Sequence, residues 1–155
     1  MATKSKPRQA DATIVFGALP DLIGYQLRLA QIAIFRDFAQ SLGIHDITPG
    51  LFGALVIIEA NPGLKQSELA KATHLDRSTV VSLVDNLERR NLVERHSAVT
   101  DRRSNALQLT GAGKTLLKKL HLLVGEHEQR LTENLSAREQ ASLVKLLQKI
   151  FPDYR

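Results

Sequence analysis

Between residues 76 and 110 the hydrophobic pattern changes its period. Val80, Leu83, Val84 and Leu87 first recur at i, i+3, i+4 and i+7, the spacing of one helix face. Apolar and polar residues then alternate, most clearly over Ala106-Leu107-Gln108-Leu109, as they do on a half-buried strand. Asp76 is a good N-cap for the helix, which is expected to run to Arg90. Asn91 tolerates the left-handed backbone that ends one. The segments "LVERHSA" and "NALQLT" flank "VTDRRS". That order predicts a hairpin with Asp101, Arg102 and Arg103 at its tip.

The rest of the chain reads as helices. "LPDLIGYQLRLAQIAIFRDFAQSL" predicts one long helix over about 19–42, with Pro20 in its first turn. Apolar residues lie nearly all round it, so it needs burial on several sides, and a partner subunit is a source of that burial. Thr48 and Pro49 open a second helix, and Asn61-Pro62-Gly63 stops it. "QSELAKATHL" is a short helix, joined to the Asp76 helix by about three residues. Thr110 caps another long helix, and Ser136 with Glu139 has capping-box spacing for a last one through about Ile150. Residues 1–12 are polar and predict a loose arm, leaving 13–155 as a single domain. The fold class is mainly α with a small β-hairpin wing.

Composition narrows the function. The chain has 155 residues and no cysteine, which excludes disulfides, thiol nucleophiles and cysteine-held metals. No stretch reaches the roughly 18 apolar residues of a membrane helix, and the basic N-terminus has no apolar core behind it. A cytoplasmic protein without membrane partners is expected. The formal charge of +5 is compatible with nucleic acid but does not require it. "GAGK" at 111–114 lacks the length and ending of a phosphate loop. His121 and His127 are six residues apart, off one helical face, and His45, His74 and His96 have no ligand-spaced companions. All five histidines read as structural or surface residues. No catalytic or metal site is expected, and the chain is not read as an enzyme.

A helix pair with so short a joint fits a helix-turn-helix, whose second helix enters the major groove. The hairpin that follows makes it winged, over about 48–110. The outward face of the Asp76 helix holds Ser78, Ser82, Asp85 and Arg89, with Val81 and Asn86 at its margins and Thr79 in its first turn. Small side chains allow close approach to base edges, and Val81 has methyls to set against a thymine methyl. Arg77 has the reach for a guanine or a phosphate. At the wing, arginine suits the negative potential of a narrow minor groove, and Asp101 is placed to orient one.

The stretch "LDRSTVVSLVDNLERRNLVERHSAVTDRRSNALQLTGAGKTLL" resembles the MarR family of bacterial transcription regulators. "DRSTV", "LVDNLERRNLV" and the wing "DRR" followed by "LQLTGAG" carry the likeness, which runs from about residue 20 to the end. The resemblance implies a winged-helix homodimer with dimerisation helices at about 19–42 and 111–151. It also implies a pseudo-palindromic operator, usually repressed, and release by a small, often aromatic, effector. It assigns recognition to Asp76–Arg90 and the wing motif to Asp101 and Arg103. Two departures are Ser82, where the family often has a basic residue, and Asn91, where it often has glycine. Absence of cysteine separates the chain from the family's thiol-oxidation sensors.

Leucine-rich terminal helices (Leu116, Leu117, Leu120, Leu123, then Leu143, Leu146, Leu147, Ile150) agree with a two-fold dimer on two half-sites. For the effector, Phe35, Phe38, Leu51, Phe52 and Leu55 offer apolar walls. Tyr25, Arg28, Arg36 and His45 are the polar candidates, suited to an aromatic acid or its acyl-CoA thioester. Two other classes fit a winged helix: a non-specific architectural DNA binder, against which the mixed charge argues, and a protein-interaction module, against which Arg77, Arg102 and Arg103 argue.

Overall fold

Local signals set most element boundaries. In the computed structural model, residues 14–98 and 101–151 are described, with the side chains of 44, 97–98 and 101–105 set aside. The elements are α1 (Ile23–Leu42), α2 (Pro49–Ala60), β1 (Leu64–Lys65), α3 (Gln66–Thr73) and α4 (Arg77–Arg89). They continue with β2 (Val93–Ala98), β3 (Asp101–Leu109), α5 (Gly111–Leu131) and α6 (Ala137–Ile150). The expectation for residues 1–12 lies outside the described residues. Thr48, Asp76, Thr110 and Ser136 each accept a backbone N–H at the start of their helices, as the sequence predicts.

Three expectations are corrected. The long N-terminal helix starts at Ile23, because Leu19–Asp21 forms a separate 3-10 turn and Leu22 is extended at ψ 126°. The Pro20 carbonyl, which a continuous helix would bond to the amide of residue 24, instead accepts from Gln26 Nε2 at 2.6 Å. A third strand, β1, joins the hairpin in the order β1-β3-β2, all antiparallel. Two residues are too few for a periodicity signal. Gly63, at φ +89°, turns the chain into it and donates to the Leu107 carbonyl at 2.9 Å. Finally, the Asp-Arg-Arg segment is not a turn but the beginning of β3. Ala98 pairs with Asp101 and Ser97 with Asn105, so residues 102–104 bulge from the ladder between those pairs.

The chain divides into two compact units, residues 1–33 and 34–155. In the first, no described residue is buried, and Ile14, Val15, Phe16, Leu22 and Ile23 are more than half exposed. The second has a core formed by Leu55 and Ile58 of α2, Leu69 of α3, Val80, Val84 and Leu87 of α4, Leu107 of β3, and Leu117 and Leu120 of α5. Residues 80, 84 and 87 belong to the stripe read from the sequence, with Leu83 half-buried beside them. Gly113 lets α5 approach the backbone of Leu92, in the turn between α4 and β2: a Cβ there would lie 2.0 Å from the Leu92 carbonyl oxygen. Helix α6 buries none of its residues and exposes Leu143, Val144, Leu146 and Ile150.

Candidate nucleic-acid interface and effector cavity

Helix α3 ends at Thr73, His74 takes a left-handed φ of 53°, and α4 begins at Arg77. This is the short joint of a helix-turn-helix. The first turn of α4 is organised by Asp76. Its Oδ1 accepts from Thr79 N at 2.8 Å and from Ser78 Oγ at 2.5 Å, and its Oδ2 accepts from Thr79 Oγ1 at 2.6 Å. These bonds, Ser78 first and Thr79 next, hold the Asp76 carboxyl well below the usual carboxylate range. Farther along, Ser82 Oγ donates to the Ser78 carbonyl at 3.1 Å. All three hydroxyl protons are therefore used within α4 and its Asp76 cap, and each oxygen keeps lone pairs to accept from a base amine.

The other candidates differ in placement. Val81 is 45% exposed, an apolar residue turned to solvent. Arg77 and Val81, with Gln66 and Ser67 of α3, line a groove of about 230 Å³. Asn86 is half-buried, and its Oδ1 has no hydrogen-bond partner among the described residues. Its carbonyl end is turned away from an outer reading surface. Asp85 is exposed but engaged: Arg95 of β2 donates from Nη2 to Asp85 Oδ1 at 2.6 Å and from Nη1 to Glu88 Oε2. The side chains of Asp101, Arg102 and Arg103 lie outside the described residues, and only their place at the start of β3 is given.

Sequence reading missed two arginines. Arg95 stands where the β2 alternation calls for an apolar residue, a signal visible in "LVERHSA". Arg90, at the end of α4, reaches back to the loop after α1. Its Nη2 donates to the His45 carbonyl at 2.6 Å and its Nη1 to the Asp46 carbonyl at 2.8 Å. Asp46 takes a left-handed φ of 49°, and nothing local in the sequence marks that contact.

The same loop forms one wall of a cavity of about 500 Å³. Phe35, Phe38 and Ala39 of α1 and Ile47, Thr48 and Pro49 at the start of α2 complete it. This volume is in the usual range of small-molecule sites. Asp46 is the charged residue among the described lining residues. Of the expected ligand residues, Arg36 and His45 adjoin lining residues in sequence, while Phe52 packs on Phe38 at a centroid distance of 6.4 Å. None of these three lines the cavity. Tyr25 and Arg28 belong to the first unit, where Tyr25 is half-buried and Arg28 exposed.

Beside Phe38, His127 of α5 is buried and approaches Asp37 Oδ2 through Nδ1 at 2.5 Å. Arg130 Nη2 donates to the same oxygen at 3.2 Å and to Ser41 Oγ at 2.6 Å. The His127 bond first, then Arg130, lowers the Asp37 pKa. This network ties the second half of α1 to α5.

A short-jointed helix pair with a paired-strand wing defines the winged helix-turn-helix class of protein. The sequence model of the MarR family matches residues 45–104. A curated relative, the putative transcriptional regulatory protein for the hcr operon of Thauera aromatica, is 38% identical over 150 residues, 96% of this chain and 90% of that protein. Among solved structures, the transcriptional repressor CouR bound to a 23-mer DNA duplex aligns with a TM-score of 0.86 at 36% identity, covering 90% of this chain and 99% of CouR. CouR bound to p-coumaroyl-CoA aligns at 0.82 and 34% identity, covering 88% and 96%. The chain belongs to the MarR family and is a DNA-binding transcription regulator. No helix among the described residues is long and apolar enough to cross a membrane.

Proposed function

We propose that this protein is a cytoplasmic homodimeric repressor that binds a pseudo-palindromic operator and leaves it when an aromatic acyl-CoA thioester occupies the cavity beside Phe35 and Phe38. Helix α4 reads the major groove through Arg77, Ser78, Thr79, Val81 and Ser82, with Asp85 and Asn86 at the margin. The wing sets Asp101, Arg102 and Arg103 at the minor groove. A second copy of the chain covers the apolar residues exposed on α1 and α6. No chemistry of catalysis is assigned to it.

The cavity's charge carries the choice of effector. Its described lining is aromatic and aliphatic, and Asp46 is its charged residue. A free carboxylate held there would meet a like charge, which is unfavourable in a partly desolvated site. A thioester has no such charge at its acyl end, so the aromatic acyl group enters and the coenzyme portion extends outward. Arg36, at the cavity's edge in sequence, and His45 are suited to the phosphates. Phe52 supports Phe38 from behind, and Tyr25 and Arg28 remain candidates on their chemistry alone. CouR, bound to p-coumaroyl-CoA, supports the same effector class.

The test is a titration of the protein–DNA complex with p-coumaroyl-CoA and, separately, with p-coumarate, followed by fluorescence anisotropy. Release by the thioester at a concentration at least tenfold below that of the acid is expected. Release by the free acid alone, or no release by either and no heat of binding in calorimetry, would contradict the effector assignment.

A further inference from the structure

Strand β2 contains a charged residue on its inner side. Val93 is paired with Leu109 and Arg95 with Leu107, and these leucines are buried. Directly opposed residues of an antiparallel pair share a face. Arg95 therefore shares the inner side with Leu107, and its side chain is only 18% exposed. An inward arginine is unfavourable unless its charge and its donors are met. Two carboxylates of α4 meet them. Asp85 and Glu88 are three residues apart, on one side of the helix. Arg95 takes one with each Nη, at 2.6 Å for Asp85.

The link joins two elements that act on DNA. Helix α4 carries the recognition face, and β2 is the strand on which β3, with its bulge at 102–104, is hydrogen-bonded. Between α4 and β2 lie only Arg90, Asn91 and Leu92. Asn91 is in the left-handed region at φ 54°. A joint that short fixes where β2 begins, and a bond at Arg95 fixes its direction. With both Nη groups on carboxylates and most of the side chain covered, Arg95 is poorly placed to bind phosphate itself. Its charge also offsets two carboxylates that would otherwise repel the duplex backbone.

We propose that Arg95 is a positioning residue for DNA binding. By gripping Asp85 and Glu88 it holds the wing at one angle to the recognition helix, so that both enter the duplex as one body. The inference rests on the reading of α4 and the wing as the DNA-contacting elements. A wing without this strut must be ordered when DNA binds, and that ordering weakens the complex.

A double-mutant cycle tests it, with affinity read by anisotropy on a duplex from the protein's own upstream region, well below each variant's melting temperature. Arg95→Met is expected to weaken binding about tenfold, and Arg103→Ala to weaken it by a similar factor. The double variant should bind within about twofold of Arg103→Ala alone, because a misplaced wing has little left to lose. Glu88→Gln, a milder surface change, should show the same non-additivity with smaller amplitude. Losses that multiply, or undiminished binding by Arg95→Met, would overturn the proposal. Undiminished binding by Arg103→Ala contradicts the wing reading itself. A loss confined to Arg95→Met would then overturn the strut too, by showing that Arg95 acts without the wing.

Discussion

Single residues decide several of the close approaches in this fold. Gly113 is the tightest: the backbone of Leu92 occupies the space a side chain would need. Gly113→Ala should destabilise the protein by about 2 kcal/mol or more, since the clash is with backbone and not with a flexible side chain. Gly111, two residues earlier and with nothing within 4 Å of its Cβ position, should accept alanine without that loss. Melting temperatures of the two variants compare them directly, and equal melting would contradict the packing account. Arg90 is the second case. Its guanidinium ties the end of α4 to two carbonyls of the loop that walls the cavity. Arg90→Ala should cost about 1–2 kcal/mol, because those carbonyls then turn to water. Denaturant unfolding would read the difference.

Among the elements, the helices start where their caps put them, and the caps have a pH signature. Asp76 and Glu139 are held below their ordinary pKa, chiefly by Ser78 and Ser136 respectively, and Asp37 chiefly by His127. A carboxyl whose folded pKa is depressed adds stability that is present above its unfolded pKa and is lost as pH falls toward the folded value. Melting temperature should therefore be steady above about pH 5 and fall below about pH 4. Asp76→Asn should shrink that acid loss, since asparagine still caps but does not titrate there. A variant with the full acid dependence would contradict Asp76's part in it. Caps were legible because they need one side chain at one position: Thr48, Asp76, Thr110 and Ser136 were all readable. The α4 stripe was legible because burial follows helical period. Strand β1 was not, being two residues long, and neither was the bulge at 102–104, which depends on cross-strand register. The engagement of Asp85 was also hidden. Its partner lies ten residues on, and only the fold brings Arg95 back over α4.

At the scale of the whole molecule, one chain leaves much apolar surface open. Leu143, Val144, Leu146 and Ile150 of α6 are all more than 40% exposed, and the first unit adds Ile14, Phe16 and Ile23. Surface of this extent suits a covering partner, and in the proposed homodimer that partner is a second copy of the chain. If the proposed dimer forms through α6, Leu146→Glu should give a monomer in light scattering, and an intact dimer would contradict α6 as part of the interface. The cavity was legible only in part: Phe35 and Phe38 were expected as walls, but the loop from Asp46 to Pro49 was not. Apolar residues announce that they will be buried, without announcing what stays empty beside them. The central claim is that the protein recognises a specific DNA sequence. Anisotropy on DNA from its own upstream region and on a scrambled duplex, across a salt series, tests it most directly. Both duplexes should show a log–log slope of about −0.9 for each phosphate neutralised. The account predicts that the upstream duplex binds roughly a thousandfold more tightly than the scrambled one. Equal affinity for the two, falling steeply with salt, would contradict it.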